Sequence, residues 1–457
     1  MTITQPPEPS ADVAPTSVLT GKPGPNEPPT NNDTLAPQYV GSWRAACRAT
    51  LLLLVQSETP LLVRIQTALR GHAGYDARGD LDPCAKKQDP TSPKKPSAGR
   101  TPSVRSPSHY RDLYFILTSL LGNHNFFLLF LPLLFWLGWS YFARTLVLLI
   151  LGGIYLSSMI KDWLCLPRPP APPLHRLTWT TSHSFEYGFP SSHTTYSVSV
   201  ALFLLEQTLQ ITSITATSPT VTYAIISNWQ WVSVILITLL ATSISAGRLY
   251  CGMHSLTDVV GGLLVGATWW LVVYLGMPYI DAYLVSHHYS VPWVTVALVW
   301  VATYIFPVAI GPCLCYQDSF ASLGVLVGIA IGTWSYADHP QSVSSPYLAT
   351  VPYDFRTLGL FWTLVRIILG LTILVVWKIT ALPLLTTVLK FLTPLASPAD
   401  RQQPSVPSTL PIQLNYAFDL HNLTRMLNYA GIGYLACFGV PLVFGWLHLG
   451  GVLPPTN

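Results

Sequence analysis

The sequence reads as an all-α, polytopic membrane helix bundle of about nine spans, preceded by a disordered N-terminal tail. Three observations carry that reading. Of 457 residues, 50% are hydrophobic and only 10% are charged, whereas a soluble domain carries about a quarter charged residues. The mean hydropathy is +0.42. Several apolar runs approach the ~20 residues that cross a bilayer, and lipid offers the backbone no hydrogen-bond partner, so such runs are expected to be helical.

The elements follow in chain order. Residues 1–110 are rich in proline, serine, threonine and asparagine, as at Pro23–Pro29 and Asp89–Pro107. Such a segment cannot bury enough apolar surface to offset chain entropy, which predicts disorder. No apolar core follows a basic start, so no signal peptide is expected. Within the tail, Trp43–Arg70 reads as an amphipathic surface helix, because its apolar centre, Leu51–Val55, is too short to span. Candidate spans cover about 124–140, 143–160, 191–207, 229–246, 256–276, 292–311, 320–336, 357–378 and 428–449. The stretch 379–396, interrupted by Pro383, Lys390 and Pro394, is expected to span or to lie in the interface. The pieces Leu113–Leu121 and Tyr283–Ser290 stay between span and loop, and Arg401–Ile412 reads as a polar loop. This gives three regions: the tail to 110, a core at 111–276, and additional helices at 277–457.

Charge and cysteine usage narrow the function. A net charge of +4 with scattered basic residues gives no reason to expect nucleic acid. Seven cysteines show no disulfide framework. Cys313 and Cys315 lack the second ligand pair of a zinc site, and Cys251 and Cys437 fit as small buried hydrophobes.

Three polar clusters stand at span ends: Lys161 to Pro169, Pro190-Ser191-Ser192-His193, and Gly247-Arg248 through His254 to Asp258. Counting spans places all three on one membrane face, where ionisable groups are costly and mark function. Lys161, Arg168 and Arg248 supply three cations for a phosphate monoester, whose oxygens match arginine forks. Ser191 and Ser192 open a helix, whose free N–H groups bind anions. One histidine can attack phosphorus while the other protonates the leaving oxygen. Asp258 follows His254 by four residues, shares its helix face, and can hold the ring's second N–H. Isolated His175, His183, His287, Arg144 and Arg176 are assigned no role, since such residues usually serve structure or snorkel.

These clusters have the form Lys-x6-Arg-Pro, Pro-Ser-x-His and Arg-x5-His-x3-Asp. Their order resembles the type 2 phosphatidic acid phosphatase superfamily over about residues 124–276. By that resemblance His254 is the nucleophile, Asp258 its orienting acid and His193 the general acid. Lys161, Arg168, Ser191, Ser192 and Arg248 form the phosphate cradle. The family's third motif begins Ser-Arg where this chain has Gly247-Arg248. Glu186-Tyr187-Gly188-Phe189, Arg248-Leu-Tyr-Cys-Gly-Met-His254 and Cys315-Tyr-Gln-Asp318 are similar to the sphingoid-base 1-phosphate phosphatase branch. The resemblance implies a metal-independent lipid phosphate phosphohydrolase without cofactor, acting through phosphohistidine on sphingoid long-chain base 1-phosphates in the endoplasmic reticulum membrane. Phosphatidate, lysophosphatidate and polyprenyl diphosphate are the alternative substrates; oligomeric state is left open.

Two features lie outside the motifs. Gly324, Gly328 and Gly332 recur every four residues and predict close helix packing. Arg366, in mid-span, is expected to face a polar cavity or pair with a carboxylate. Sidedness is divided. The resemblance implies a luminal site, with the N-terminus on the same side, yet Arg44, Arg48, Arg64, Arg70, Lys86, Lys87, Lys94, Lys95 and Arg105 favour the cytoplasm.

Overall fold

A computed structural model describes residues 42–70, 110–120, 124–177, 186–215, 228–286, 288–307, 315–342, 349–392 and 420–450. Most of the tail expected to be disordered, together with Lys86 to Arg105, His183, His287, Cys313 and the loop 401–412, lies outside them. The described elements are the helices α1 (Ser42–Ser57), α2 (Thr59–Arg70), α3 (Tyr110–Leu120), α4 (His124–Trp136), α5 (Ser140–Leu164) and α6 (Ser192–Thr215). They continue with α7 (Asn228–Tyr250), α8 (Leu256–Val285), α9 (Ser290–Ile305), α10 (Cys315–Ala337), α11 (Phe355–Leu392) and α12 (Leu420–Trp446), the last holding a π-turn at Leu435–Gly439.

Seven described helices are long and apolar enough to cross a membrane: the 43–69 segment, α5, α7, α8, α10, α11 and α12. Among the described residues, length and composition thus give seven spans, and the expected count of about nine is not confirmed. α4 and α9 are apolar but short, and α6 opens on a serine- and threonine-rich stretch. The interrupted stretch after 378 is no separate element. It continues the 38-residue α11, in which Pro383 stays helical and Gly359, at φ 73°, marks the kink. Proline persists there because neighbouring groups in a bundle can satisfy the freed carbonyl. Residues 113–120 belong to α3, Tyr283 lies in the last turn of α8, and Ser290 opens α9.

The α1–α2 segment passes as a span by composition, but its contacts place it otherwise. Arg44 donates to the Trp163 carbonyl at the end of α5. Glu58 accepts from Thr257 at the start of α8, and Gln66 donates to the Tyr250 carbonyl at the end of α7. A helix pair that touches the same-side ends of three different helices lies across them. Trp43, Leu53, Leu54, Leu61 and Leu69 stay exposed on its outer side, as suits a helix seated in the interface.

At the opposite end, the bundle is tied by a buried ion pair, Arg144 Nε to Asp281 Oδ1 at 2.5 Å and Nη2 to Oδ2 at 3.0 Å, joining α5 to α8. The glycine repeat of α10 serves packing: a Cβ on Gly324 or Gly328 would stand 2.3 or 1.9 Å from the Met426 or Ala430 carbonyl oxygen of α12. Arg366 is fully buried, and among the described residues its partners are carbonyls and a ring, not the carboxylate that was one of the two expectations. It donates to the Leu449 carbonyl and, at 3.0 Å, to the Pro352 carbonyl, and its guanidinium lies 4.4 Å from the Phe444 ring centroid. Two carbonyls and a ring face thus meet the cation, while its buried Nε has no hydrogen-bond partner among the described residues.

Candidate active site

Helix ends set the site. α5 terminates at Cys165 in the left-handed conformation, so the chain turns sharply after Lys161 and carries Arg168 back over the bundle. Ser191 caps α6: its Oγ accepts from the Thr194 N–H at 3.4 Å and from the Thr194 hydroxyl at 3.1 Å. Its own N–H donates to the Asp258 carbonyl at 2.9 Å. The first-turn N–H groups of Ser192 and His193 are those that helix geometry leaves without an intrahelical acceptor. Ser255 caps α8 in a reciprocal box with Asp258, 2.7 Å from the Ser255 N–H to Oδ2 and 3.1 Å from the Asp258 N–H to Oγ.

His254 sits in the turn between α7 and α8, 2% exposed. Its Nε2 lies 3.4 Å from Arg168 Nη1, and its Nδ1 lies 3.5 Å from Asp258 Oδ2. Neither Nδ1 nor Asp258 Oδ1 has a hydrogen-bond partner among the described residues, and a shift of roughly 0.5 Å brings the pair into range. Burial, then the charges of Arg168, Lys161 and Arg248 and the His193 ring, push the His254 imidazole well below its ordinary value. An unprotonated ring with Nε2 facing the guanidinium is the state a nucleophile needs. His193, one turn before Tyr196, packs on that buried ring with centroids 5.3 Å apart.

The sequence-derived site residues therefore come together. Lys161, Arg168 and Arg248 are each less than 10% exposed, and Ser191 and Asp258 are fully buried. Arg168 is held at three edges, by the Glu186 carbonyl, the Met253 carbonyl and the Glu186 carboxylate, all at 3.0 Å. Arg248 Nη1 donates to Ser119 Oγ of α3 at 2.7 Å. Ser192 opens α6 half-buried.

Several contributors were not legible as such. Ser119 holds Arg248, and Glu186 holds Arg168 and Lys161 (3.6 Å), although only Glu186 stood beside a motif. On α8, Gly261, Gly262 and Gly266 let α6 approach: added Cβ atoms would meet the Phe189 ring at 2.3 Å, the Ser191 carbonyl oxygen at 2.6 Å and the Thr195 carbonyl oxygen at 2.3 Å. Three glycines in six residues of a helix were the available signal. Gly247, where the family has serine, faces Phe115 of α3, 3.0 Å from where a Cβ would stand. Gln66 joins the loop that follows the first cluster to the third cluster, donating to the His175 and Tyr250 carbonyls at 3.0 and 2.9 Å and accepting from the His175 N–H at 3.0 Å.

Comparison with known proteins points the same way. The family model described as the PAP2 superfamily matches residues 142–282, the stretch that holds all three clusters. A dihydrosphingosine 1-phosphate phosphatase of Schizosaccharomyces pombe is 30% identical over 73% of this chain and 83% of its own. One of the same name from Saccharomyces cerevisiae is 32% identical over 49% of this chain and 53% of its own. A lipid phosphate phosphatase delta of Arabidopsis thaliana is 29% identical over 74% and 83%. No solved structure matches.

Proposed function

We propose that this chain, which belongs to the PAP2 superfamily, removes the phosphate from sphingoid long-chain base 1-phosphates, without a metal and through a phosphohistidine. The observation that carries the chemistry is the buried His254 Nε2, 3.4 Å from an Arg168 nitrogen, on a ring that burial and neighbouring cations push well below its ordinary value. The relatives' printed names support the substrate. Lys161, Arg168, Arg248 and the N–H groups opening α6 receive the three non-bridging oxygens. Nε2 attacks phosphorus, the P–N bond forms and the P–O ester bond breaks, while His193 gives its proton to the leaving alkoxide. Water then attacks phosphorus, His193 takes its proton, the P–N bond breaks, and inorganic phosphate leaves. Asp258 holds the second ring N–H and steadies the imidazolium character that develops. Developing charge meets fixed cations in a dry site, where they act most strongly.

An endoplasmic reticulum home belongs to this proposal, and co-fractionation with that membrane checks it. The substrate and the metal independence are tested with the purified chain in mixed micelles. Dihydrosphingosine 1-phosphate is expected to turn over with higher kcat/KM than phosphatidate, lysophosphatidate or a polyprenyl diphosphate, unchanged by excess EDTA and inhibited by vanadate. Preference for one of the other lipids contradicts the substrate, and EDTA loss restored by magnesium contradicts the mechanism.

A further inference from the structure

A carboxylate sits in the phosphate cradle. Glu186 Oε2 lies 3.0 Å from Arg168 Nη2 and 3.6 Å from Lys161 Nζ, and its side chain is 16% exposed. The Glu186 carbonyl also accepts from Arg168 Nε at 3.0 Å, so the backbone cannot carry the carboxylate far. The residue leads directly into Ser191 and His193 through Gly188, whose N–H bonds the Leu166 carbonyl at 2.8 Å. For a bare phosphate this arrangement is a handicap. A phosphate monoester carries nearly two negative charges, and it must share two cations with a third negative charge only a few ångströms away, in a site with little water to screen it.

That handicap disappears for one kind of lipid. A sphingoid base 1-phosphate bears an ammonium on C2, separated from the phosphorus by C2, C1 and the ester oxygen. As its phosphate takes over Arg168 and Lys161, its ammonium arrives beside the carboxylate that those cations release. A phosphatidate or a ceramide 1-phosphate brings no such cation and leaves Glu186 opposed to the phosphate.

We infer that Glu186 is the specificity residue of this site: its carboxylate takes the substrate's ammonium and penalises lipid phosphates that lack one. The inference rests on the sphingoid reading above. Discrimination of this kind works mainly by repelling the wrong ligand. Before substrate binds, the same carboxylate keeps Arg168 and Lys161 in place.

The test uses the full chain in mixed micelles with three phosphates of matched chain length: dihydrosphingosine 1-phosphate, its N-acetyl derivative, and lysophosphatidate. Specificity is the ratio of kcat/KM for the amine to that for each amine-free lipid. The parent should favour the amine, Glu186→Gln should lower that ratio at least tenfold, and Glu186→Asp should keep most of it. Glu186→Gln slowing all three lipids by one common factor overturns the inference and leaves the sphingoid reading standing. A parent that already favours the amine-free lipids overturns both. If Glu186→Gln is inactive on every lipid, Glu186→Ala and Glu186→Asp decide. Alanine must lose the ratio that aspartate keeps, and equal ratios overturn the inference.

Discussion

At His254, burial and a ring of cations hold the imidazole unprotonated, and this has a consequence for stability. In the unfolded chain the ring takes a proton below about pH 6.5, whereas the folded ring, with its value pushed down, resists until lower pH. The unfolded state then binds more protons, so stability falls as pH drops below about 6.5. As pH falls from about 6.5 to 5, the thermal midpoint of the substrate-free parent should lose ground to that of His254→Gln, which lacks the titrating ring. An equal decline in the variant shows that His254 is not the group responsible. The His254, His193, Asp258, Arg168 and Lys161 positions were readable because chemistry demanded those residue types at joint spacing. Their partners Ser119 and Gln66 were not, because a serine or glutamine that bonds one distant group leaves no periodic signal. Arg366 was readable as an anomaly, but its carbonyl partners, Pro352 and Leu449, come from chain bends that residue types do not encode.

The helices around these residues decide whether they meet. α8 reaches α6 in part because Gly262 lacks a side chain: a Cβ there would stand 2.6 Å from the Ser191 carbonyl oxygen and 2.9 Å from Thr194 Cβ. Gly262→Ala should cost about 1–3 kcal/mol, as overpacking does, and should lower kcat through displacement of Ser191 and His193. Gly276→Ala on the same helix, where a Cβ meets only the Ile280 side-chain tip at 3.6 Å, should do neither. Parallel thermal and kinetic measurements of the two variants check this. The α1–α2 strap makes a similar demand. Removing residues 1–40 leaves every described contact in place and should leave specific activity nearly unchanged. Gln66→Ala removes three hydrogen bonds to backbone groups, each worth about 0.5–1.5 kcal/mol, and should cut turnover despite its place outside the motifs. Comparable activity in the two variants shows that the strap does not position the site. The amphipathic pattern of 43–70 was visible in the sequence, but not that its polar side grips the ends of α5, α7 and α8.

Across the molecule, the contacts bear on sidedness. The strap shares an end with the site, and Arg44 and Arg48 bond carbonyls at the end of α5 and just beyond. Those two arginines thus have a structural use, complementing the negative end of a helix dipole, which weakens their weight as cytoplasmic signals. The long spans were legible because bilayer thickness imposes their length. The merged α11 and the short α4 were not, since helix continuity through Pro383 and termination at Trp136 depend on neighbours. On the proposed mechanism, what unites strap, glycine contacts and cradle is one event, transfer of a phosphoryl group to His254. Labelling the full chain with radioactive dihydrosphingosine 1-phosphate, quenching within milliseconds in alkaline denaturant and mapping the phosphate-bearing peptide reads that event. The phosphate should appear on His254 as an acid-labile adduct in the parent. It should be absent from His254→Ala. In His193→Ala, lipid turnover should fall by roughly 10²–10⁴, with a much smaller loss on a nitrophenyl phosphate, whose leaving group hardly needs a proton. Label on His193, label persisting in His254→Ala, or a parent that turns over with no phosphoenzyme at any quench time contradicts the assignment.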